Sequence, residues 1–266
     1  MGMKHLLGIC DLEAQEIKTI LDHAQMYADG LASGNYDAEK HKGKIILHLF
    51  FENSTRTLTS FEMAAKRLGA EVINWNRETS SLKKGESFMD TIDTLNAMRP
   101  DAIVLRHSEY GAPNYVAKRM DCPVINGGDS WREHPTQALL DALTMRQHFG
   151  KLDGLTVAIV GDIAHSRVAA SNMGLLTKMG ANVRVIAPLE LMPEKLAADS
   201  VTKFTDLNEG LNGADVVISI RPQKERQNHL DGRDPTGGIE PCVGTAGRFS
   251  RLNDAEFRAC DLWHSS

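Results

Sequence analysis

The sequence predicts an α/β protein with two domains, each built on a parallel sheet that is flanked by helices. Short apolar runs alternate with stretches in which apolar residues recur every three or four positions, as at Phe61, Ala64 and Leu68. The runs, such as AIVL and TVAIV, are continuously apolar, which is typical of parallel strands covered on both faces. Seven runs are predicted as strands: residues 44–50, 71–74, 102–106, 123–126, 156–160, 182–187 and 215–220.

The domain organisation follows from a long helical pattern near the middle of the chain. This pattern, TQALLDALTMRQHF at residues 136–149, is followed by Gly150, a residue type that commonly ends helices. Four predicted strands precede the helix and three follow it. The second domain is predicted to be incomplete, because the last 40 residues carry five glycines and two prolines without a clear strand. The predicted parts are a first domain at 1–134, a linking helix at 135–150, a second domain at 151–226 and a tail at 227–266.

Composition and charge exclude several classes of function. The chain has 266 residues with a net charge of −5 and no long run of one sign, so no broad nucleic-acid surface is predicted. Its longest apolar stretch, around residues 45–51, is far shorter than the roughly 20 residues of a membrane span. Acidic residues come too early in the chain for a secretory signal. Four widely spaced cysteines without a CxxC pair indicate reduced thiols and a cytoplasmic protein.

A cluster of hydrogen-bond donors follows the first predicted strand. Ser54, Thr55, Arg56 and Thr57 stand between this strand and a predicted helix, where unpaired N–H groups and the helix dipole favour an anion. Hydroxyl and guanidinium groups would complete a phosphate site. The alternative is an ordinary helix N-cap, which needs only one of these side chains. No glycine-rich nucleotide loop is present in this segment.

Two further polar segments end predicted strands in the first half of the chain. Arg106 closes the strand AIVLR at its carboxyl end, where ligands gather in parallel α/β sheets, although an arginine that faces water is the alternative. His134 precedes Pro135 at a helix start and can donate a hydrogen bond to a polarised carbonyl group. A structural histidine is the alternative for His134. The polar loop at 79–87 allows either a binding loop or a solvated loop capped by Ser87.

The second half repeats the arrangement of strand and polar turn. GDIAHSR, which ends at Arg167, follows TVAIV but lacks the second and third glycines of a dinucleotide turn, so an NAD-dependent oxidoreductase is disfavoured. Arg221 and Gln223 begin the segment RPQKER after the strand DVVISI. The alternative for this last segment is a charged helix start.

Taken together, these segments resemble one enzyme family. FFENSTRTLTSF is similar to the phosphate-binding signature of the aspartate and ornithine carbamoyltransferases, and SxxxKGES at Ser80 to Ser87 resembles their mobile loop. GGDSxxEHPTQALLDAL resembles the family's carbamoyl-binding motif. GDxxHSRVAxS and RxQKER are similar to the aspartate branch of the family. The resemblance runs from Phe50 to about Arg226.

The resemblance implies a reaction and the residues that perform it. Carbamoyl would pass from carbamoyl phosphate to the α-amine of L-aspartate, in a pathway to pyrimidines, without a metal or an organic cofactor. The catalytic set would be Arg56, Thr57, Arg106 and His134. The carbamoyl phosphate set would be Ser54, Thr55, Arg56, Thr57, Ser80, Lys84, Arg106, His134 and Gln137. The aspartate set would be Lys84, Arg167, Arg221 and Gln223.

The family also implies an assembly and a difference at the end of this chain. The loop that carries Ser80 and Lys84 serves a neighbouring subunit in the family, which implies a homotrimer with shared sites and leaves regulatory or dihydroorotase partners open. Family members continue with a strand that ends in a His-Pro-x-Pro loop, which the tail lacks. A reading-frame change near residue 227 or real divergence would explain this tail. The alternative function is therefore a truncated or inactive carbamoyltransferase-like subunit that retains phosphate binding.

Overall fold

The computed structural model describes residues 4–76 and 87–222. The chain divides into two compact units. The first unit holds the residues up to Asp11 together with Asp22–Thr136. The second unit holds Leu12–Leu21 and the chain from Gln137 onward.

The first unit is built on a four-stranded parallel sheet with the strand order β2-β1-β3-β4. Its helices connect each strand to the next, as parallel pairing requires. The strands are β1 (Ile45–Phe50), β2 (Glu71–Asn76), β3 (Ala102–His107) and β4 (Val124–Asp129). The helices are α1 (Ala14–Ser33, in this unit from Asp22), α2 (Thr55–Arg67), α3 (Phe88–Ala97) and α4 (Ala112–Ala117).

The core of the first unit lies against β1, β3 and β4. Leu49, Ile103 and Leu105 are fully buried there with Ile92 from α3. Apolar side chains on successive strand positions are buried, as expected for a sheet covered on both faces. The N-terminal segment extends the sheet, because Leu6 forms a parallel bridge with Ile125 of β4.

The second unit repeats this plan with the strand order β7-β6-β5-β8, again all parallel. Val157, Ile159 and Val185 are fully buried in its core. The strands are β5 (Thr156–Gly161), β6 (Asn182–Ile186), β7 (Thr202–Phe204) and β8 (Val216–Ile220). The helices are α5 (Pro135–Phe149), α6 (Arg167–Lys178) and α7 (Leu207–Leu211), with a 3₁₀ turn at Leu189–Leu191.

The predicted α/β class with two parallel sheets is confirmed, and all seven predicted strands are present. The helix predicted at 136–149 begins one residue earlier, at Pro135. One strand was missed: β7 has only three residues, and two of them, Thr202 and Lys203, are exposed, so it has no apolar run. The predicted tail at 227–266 lies outside the described residues.

Each sheet contains a switch point, which is the gap between two neighbouring strands from which the chain continues in opposite directions along the sheet. The chain goes from β1 to β2 on one side and then to β3 on the other side of β1. In the second sheet it goes from β5 through β6 and β7, and then to β8 on the other side of β5. Ligands of open parallel sheets bind outside the carboxyl ends of the two strands that flank such a point.

The described residues offer neither a membrane-spanning helix nor a cluster of metal ligands. None of the helices among them is long and apolar enough to cross a membrane. In the same part of the chain, no cluster of three or more His, Cys, Asp or Glu residues could hold a metal ion.

Candidate active site

The first predicted anion site lies where β1 passes into α2, at the switch point of the first sheet. Ser54 occupies the N-cap position of α2, yet within the described residues its side chain makes no capping hydrogen bond. Its Oγ instead donates to Thr57 Oγ1 over 2.9 Å. Thr55 and Arg56 are exposed in the first helical turn. The simple cap interpretation of Ser54 is therefore wrong, because its side chain does not cap the backbone N–H groups at this helix start.

Arg106 lies on the other side of this switch point, at the carboxyl end of β3. It is paired in register with Phe50, the last residue of β1, so the two loops start side by side. Arg106 is only 8% exposed, and its guanidinium group donates from Nη1 to the Gly127 carbonyl oxygen (3.2 Å) and from Nη2 to Glu52 Oε1 (3.0 Å). The alternative of a water-facing arginine is wrong, because these two acceptors hold the side chain in place.

The loop between β4 and α5 brings His134 to the same edge of the sheet. Gly128 has a φ of 118° and Ser130 a φ of 45°, a left-handed conformation that serine rarely adopts. Asp129 and Glu133 then pair as an antiparallel bridge, which closes the loop one residue before His134. His134 is buried, and its Nδ1 lies 3.5 Å from Thr136 Oγ1.

The buried carboxylate of Asp129 holds this loop together. Asp129 Oδ1 accepts from Asn126 Nδ2 over 2.8 Å, and Oδ2 accepts from the Gly111 N–H over 2.9 Å and from Arg132 Nη1 over 3.3 Å. Burial raises the pKa of Asp129, and these donors act in the opposite direction because they bind the ionised form. The sequence gives no signal for this role of Asp129, since the Gly111 N–H comes from a loop 18 positions away.

The N-terminal segment supports the loop from its other side. Glu133 Oε1 accepts from the backbone N–H groups of Ile9 (3.1 Å) and Cys10 (3.4 Å). Gly8 passes so close that a Cβ atom there would lie 2.9 Å from Glu133 Oε1. The motif GGDSxxEHPTQALLDAL pointed to this loop, but the sequence carries no signal for these contacts across more than 120 positions.

In the second unit, Arg167 lies at the switch point between β5 and β8. It is the first residue of α6 and only 2% exposed. Ser166 caps this helix, since its Oγ accepts from the Ala169 N–H over 3.1 Å. The preceding turn is fixed by Asp162, whose Oδ1 lies 2.7 Å from His165 Nδ1. Gly161 is required here, because a Cβ atom would lie 1.9 Å from the Ile220 carbonyl oxygen.

Arg221 follows β8 directly and lies on the other side of the second switch point. Gly161 of β5 pairs with Ile220, which places Arg221 beside the turn that leads to α6. Arg221 is exposed, and its Nη1 donates to the Pro222 carbonyl oxygen over 3.1 Å. The fold therefore brings Arg167 and Arg221 to one edge of one sheet, 54 positions apart in sequence.

Gln137 lies in the first turn of α5, three positions after His134. Its Nε2 donates to Asp141 Oδ1 over 2.8 Å. Ser80, Lys84 and Gln223 lie outside the described residues, so their predicted roles stay predictions.

Comparisons with known proteins give the family. Residues 4–147 match the model of the aspartate/ornithine carbamoyltransferase carbamoyl-P binding domain, and residues 153–233 match that of the Asp/Orn binding domain. The aspartate carbamoyltransferase catalytic subunit of Granulibacter bethesdensis is 50% identical over 251 residues, which cover 94% of this chain and 77% of that protein. The corresponding subunit of Rhodospirillum rubrum is 53% identical over 223 residues, which cover 84% and 70%.

Solved structures agree with these relatives. Aspartate transcarbamoylase from Trypanosoma cruzi in complex with carbamoyl phosphate and aspartate superposes with a TM-score of 0.78 at 31% identity, over 87% of this chain and 78% of that one. The catalytic subunit of M. jannaschii aspartate transcarbamoylase gives a TM-score of 0.76 at 36% identity, over 84% and 76%. The chain belongs to the aspartate/ornithine carbamoyltransferase family. The carbamoyltransferase predicted from the motifs is thereby confirmed.

Proposed function

We propose that this chain is an aspartate carbamoyltransferase. It transfers the carbamoyl group of carbamoyl phosphate to the α-amine of L-aspartate and releases N-carbamoyl-L-aspartate and phosphate, a step of pyrimidine biosynthesis. The observation that carries this proposal is the presence of anion-binding side chains at both switch points, one set in each unit. The relatives named for this activity and the Trypanosoma cruzi complex with both substrates support the assignment.

The first switch point suits the phosphate group. The exposed start of α2 offers backbone N–H groups and a positive dipole end, and Ser54, Thr55 and Thr57 add hydroxyl groups. Arg56 stands in the same turn and supplies a guanidinium group, which forms paired hydrogen bonds with phosphate oxygens. Ser80 and Lys84 belong to the proposed set through the family motif alone.

Arg106 and His134 suit the carbonyl group that is attacked. Arg106 is held by Glu52 and by the Gly127 carbonyl oxygen, so its charge needs little rearrangement when negative charge develops on the substrate. His134 and Thr57 would add hydrogen bonds to the same oxygen. Such preorganised donors are worth roughly 100- to 1,000-fold each in kcat in other enzymes.

The second switch point suits an amino acid with two carboxylates. Arg167 and Arg221 lie on neighbouring strand ends of one sheet, and each guanidinium group can bind one carboxylate in a bidentate manner. Gln223, from the family motif, would orient the α-amine. An acceptor with one carboxylate and a cationic side chain, such as ornithine, would offer a carboxylate to only one of these two arginines.

The chemical step follows from how the two substrates are held. The aspartate α-amine attacks the carbonyl carbon, the bond from that carbon to the phosphate oxygen breaks, and phosphate leaves with a proton of the amine. No oxidant or additional reactant is needed. Holding both substrates converts a bimolecular encounter into an intramolecular one, which lowers the entropic part of the barrier.

Domain roles, assembly and location complete the proposal. The segment 1–134 binds carbamoyl phosphate, the helix at 135–150 links it to the aspartate-binding segment at 151–226, and the protein acts in the cytoplasm. It forms a homotrimer in which a neighbour supplies Ser80 and Lys84. Analytical ultracentrifugation tests the assembly, and a fully active monomer would contradict it.

The activity is tested by incubating the purified chain with carbamoyl phosphate and one of two acceptors. We expect N-carbamoyl-L-aspartate from L-aspartate and no citrulline from L-ornithine, with chromatographic detection of both products. A folded chain that binds inorganic phosphate but forms neither product would favour the inactive carbamoyltransferase-like subunit. Citrulline as the main product would contradict the choice of acceptor.

A further inference from the structure

A partly buried carboxylate in the second unit binds two side-chain amides. Asp141 Oδ1 accepts from Gln137 Nε2 over 2.8 Å, and Oδ2 accepts from Asn172 Nδ2 over 2.8 Å. Asp141 and Gln137 lie one turn apart on α5, whereas Asn172 is fully buried on α6. The two switch points do not explain the role of Asp141. Among the described residues, its carboxylate accepts hydrogen bonds from Gln137 and Asn172 and not from the arginines at those points.

The hydrogen bonds fix which end of each amide faces Asp141. A carboxylate accepts hydrogen bonds, so the NH₂ groups must face it. Asn172 confirms the assignment, since its Nδ2 also donates to the Val168 carbonyl oxygen over 3.1 Å. With Oδ2 occupied by Asn172, the Oδ1 atom of Asp141 is left for Gln137. Burial raises the pKa of Asp141, and both amide donors oppose this by binding the ionised form.

The orientation of Gln137 has a chemical consequence. Its NH₂ group is used by Asp141, so its carbonyl oxygen, Oε1, is the end left for a ligand. Among the residues that the structure describes, none forms a hydrogen bond with Gln137 Oε1. Gln137 is partly exposed and follows His134 by three positions, at the start of α5. An exposed acceptor fixed at this place selects a ligand group that can donate.

We propose that Asp141 is a positioning residue that sets Gln137 as a hydrogen-bond acceptor for the amino group of the carbamoyl substrate. The proposal rests on the assignment of Gln137 to the carbamoyl phosphate site. Asp141 thereby makes the site selective for a carbamoyl group over an acetyl group, which has the same shape but carries a methyl in place of the amino group. Without Asp141 the Gln137 amide can rotate by 180° and offer a donor instead.

The chain contains a matched pair that serves as a control. Gln25 Nε2 donates to Asp29 Oδ1 over 2.7 Å, with the same spacing of four positions on α1. Asp29 is exposed, whereas Asp141 is shared with the fully buried Asn172. The substitution Asp29→Asn therefore repeats the chemistry of Asp141→Asn at a place with no proposed role.

Two stable phosphonates that differ only in this group test the proposal. Phosphonoacetamide carries the amino group, and 2-oxopropylphosphonate carries a methyl in its place. Calorimetric titration gives the ratio of their dissociation constants for the wild type, for Asp141→Asn, for Asp29→Asn and for Gln137→Leu. We expect the wild type and Asp29→Asn to prefer the amide by about tenfold, the size of one hydrogen bond. In Asp141→Asn and Gln137→Leu the ratio should fall to about one.

The ratio separates positioning from a general structural role, because a loosened helix weakens both ligands alike. An unchanged ratio in Asp141→Asn, or no preference in the wild type, would overturn the proposal. A thermal melt shows whether Asp141→Asn is folded. If it is not, Gln137→Leu is the deciding variant, because a preference for the amide that is retained in Gln137→Leu would also contradict the proposal. The activity assay is separate: preference for the amide without product formation would reject the proposed function and leave the role of Asp141 intact.

Discussion

Ser54 and Ser166 occupy the same place in the two units and do different work. Each is the N-cap residue of the helix that follows the first strand of its sheet. Ser166 is buried and its Oγ accepts from the Ala169 N–H, as a structural cap does. Ser54 Oγ donates to Thr57 Oγ1 instead and does not cap the N–H groups of its helix. The same residue type at the same topological position therefore caps its helix in one unit and, as proposed, binds the substrate in the other.

The arginines also differ between the two units. In each sheet they lie at the edge formed by the carboxyl ends of the strands. In the first unit, Arg106 is buried against Glu52 and the Gly127 carbonyl oxygen, while Arg56 is exposed on a helix start. In the second unit, the helix-start arginine, Arg167, is the buried one, and Arg221 on the strand end is exposed. Each edge thus combines one arginine held by its surroundings with one that is accessible to a ligand.

The largest effect is expected from Arg106. Arg106→Met keeps the aliphatic volume but removes the charge that is proposed to stabilise the carbonyl oxygen. We expect kcat for carbamoyl aspartate formation to fall by roughly 100- to 1,000-fold. Steady-state kinetics with both substrates measure this.

Arg119→Met is the matched control for this variant. Arg119 lies on the surface of the same unit, in an ion pair with Asp93 over 2.7 Å, and such exposed pairs contribute little. Its kinetics should match the wild type. Near-normal kcat in folded Arg106→Met would show that this arginine is structural, like Ser166.

The next largest effect is expected in the second unit and concerns the binding of L-aspartate. Arg221→Met removes an exposed guanidinium group that is proposed to bind an aspartate carboxylate. We expect the KM for L-aspartate to rise by about 30-fold, the low end for loss of a charged partner. The KM for carbamoyl phosphate should stay within about twofold of the wild type. Equal changes in the two KM values would contradict the proposal that the two units bind different substrates.

The two N-cap serines should affect different quantities: Ser54 the affinity for the substrate and Ser166 the free energy of unfolding. Ser54→Ala should weaken carbamoyl phosphate binding by roughly tenfold, since a hydrogen bond to a charged group is lost, and should leave the free energy of unfolding unchanged. Ser166→Ala should lower the free energy of unfolding by about 1 kcal/mol, because a helix cap is lost. Substrate titrations and denaturant unfolding measure both. A stability loss in Ser54→Ala as large as in Ser166→Ala would contradict the different roles.

The smallest effect concerns pH and Asp129, the buried carboxylate of the first edge. Burial raises its pKa, so the folded protein retains a proton that the unfolded chain has released above its ordinary value of about 4. Stability is therefore lost as the pH rises from that value through the raised folded pKa. Asp129→Asn should flatten this part of the profile of unfolding free energy against pH.

Asp101 is the control for the sign of this effect. Its hydrogen bond with Lys44, over 2.8 Å, lowers the pKa of Asp101, so the stability that it contributes is lost as the pH falls through its folded value. Asp101→Asn should flatten the acidic side of the profile only. A profile that Asp129→Asn leaves unchanged would show that this carboxyl titrates as in the unfolded chain.

The sequence predicted the elements that depend on local pattern. Continuous apolar runs indicated seven strands, and the motifs placed Ser54, Arg106, His134 and Arg167 at strand ends and helix starts, where the structure has them. The short strand β7 was missed because it has no apolar run. Whether Ser54 would act only as a helix cap was also open, since one serine before a helix is a common cap.

The supporting contacts were beyond sequence reasoning because they join distant positions. Arg106 and Glu52 are 54 positions apart, Asp141 and Asn172 are 31 apart, and Glu133 binds the backbone of residue Ile9 at a separation of 124. Only the strand order and the course of the N-terminal segment bring these groups together. Such contacts decide whether an arginine or an amide is fixed before the ligand arrives.

The most direct test is the simultaneous measurement of N-carbamoyl-L-aspartate and phosphate formed by the purified chain from carbamoyl phosphate and L-aspartate. If each unit binds one substrate as proposed, the wild type forms equal amounts of both products. Arg106→Met then loses nearly all product formation, whereas Arg221→Met recovers it at high aspartate concentration. A folded wild-type chain that releases phosphate without carbamoyl aspartate, or forms neither, would contradict it.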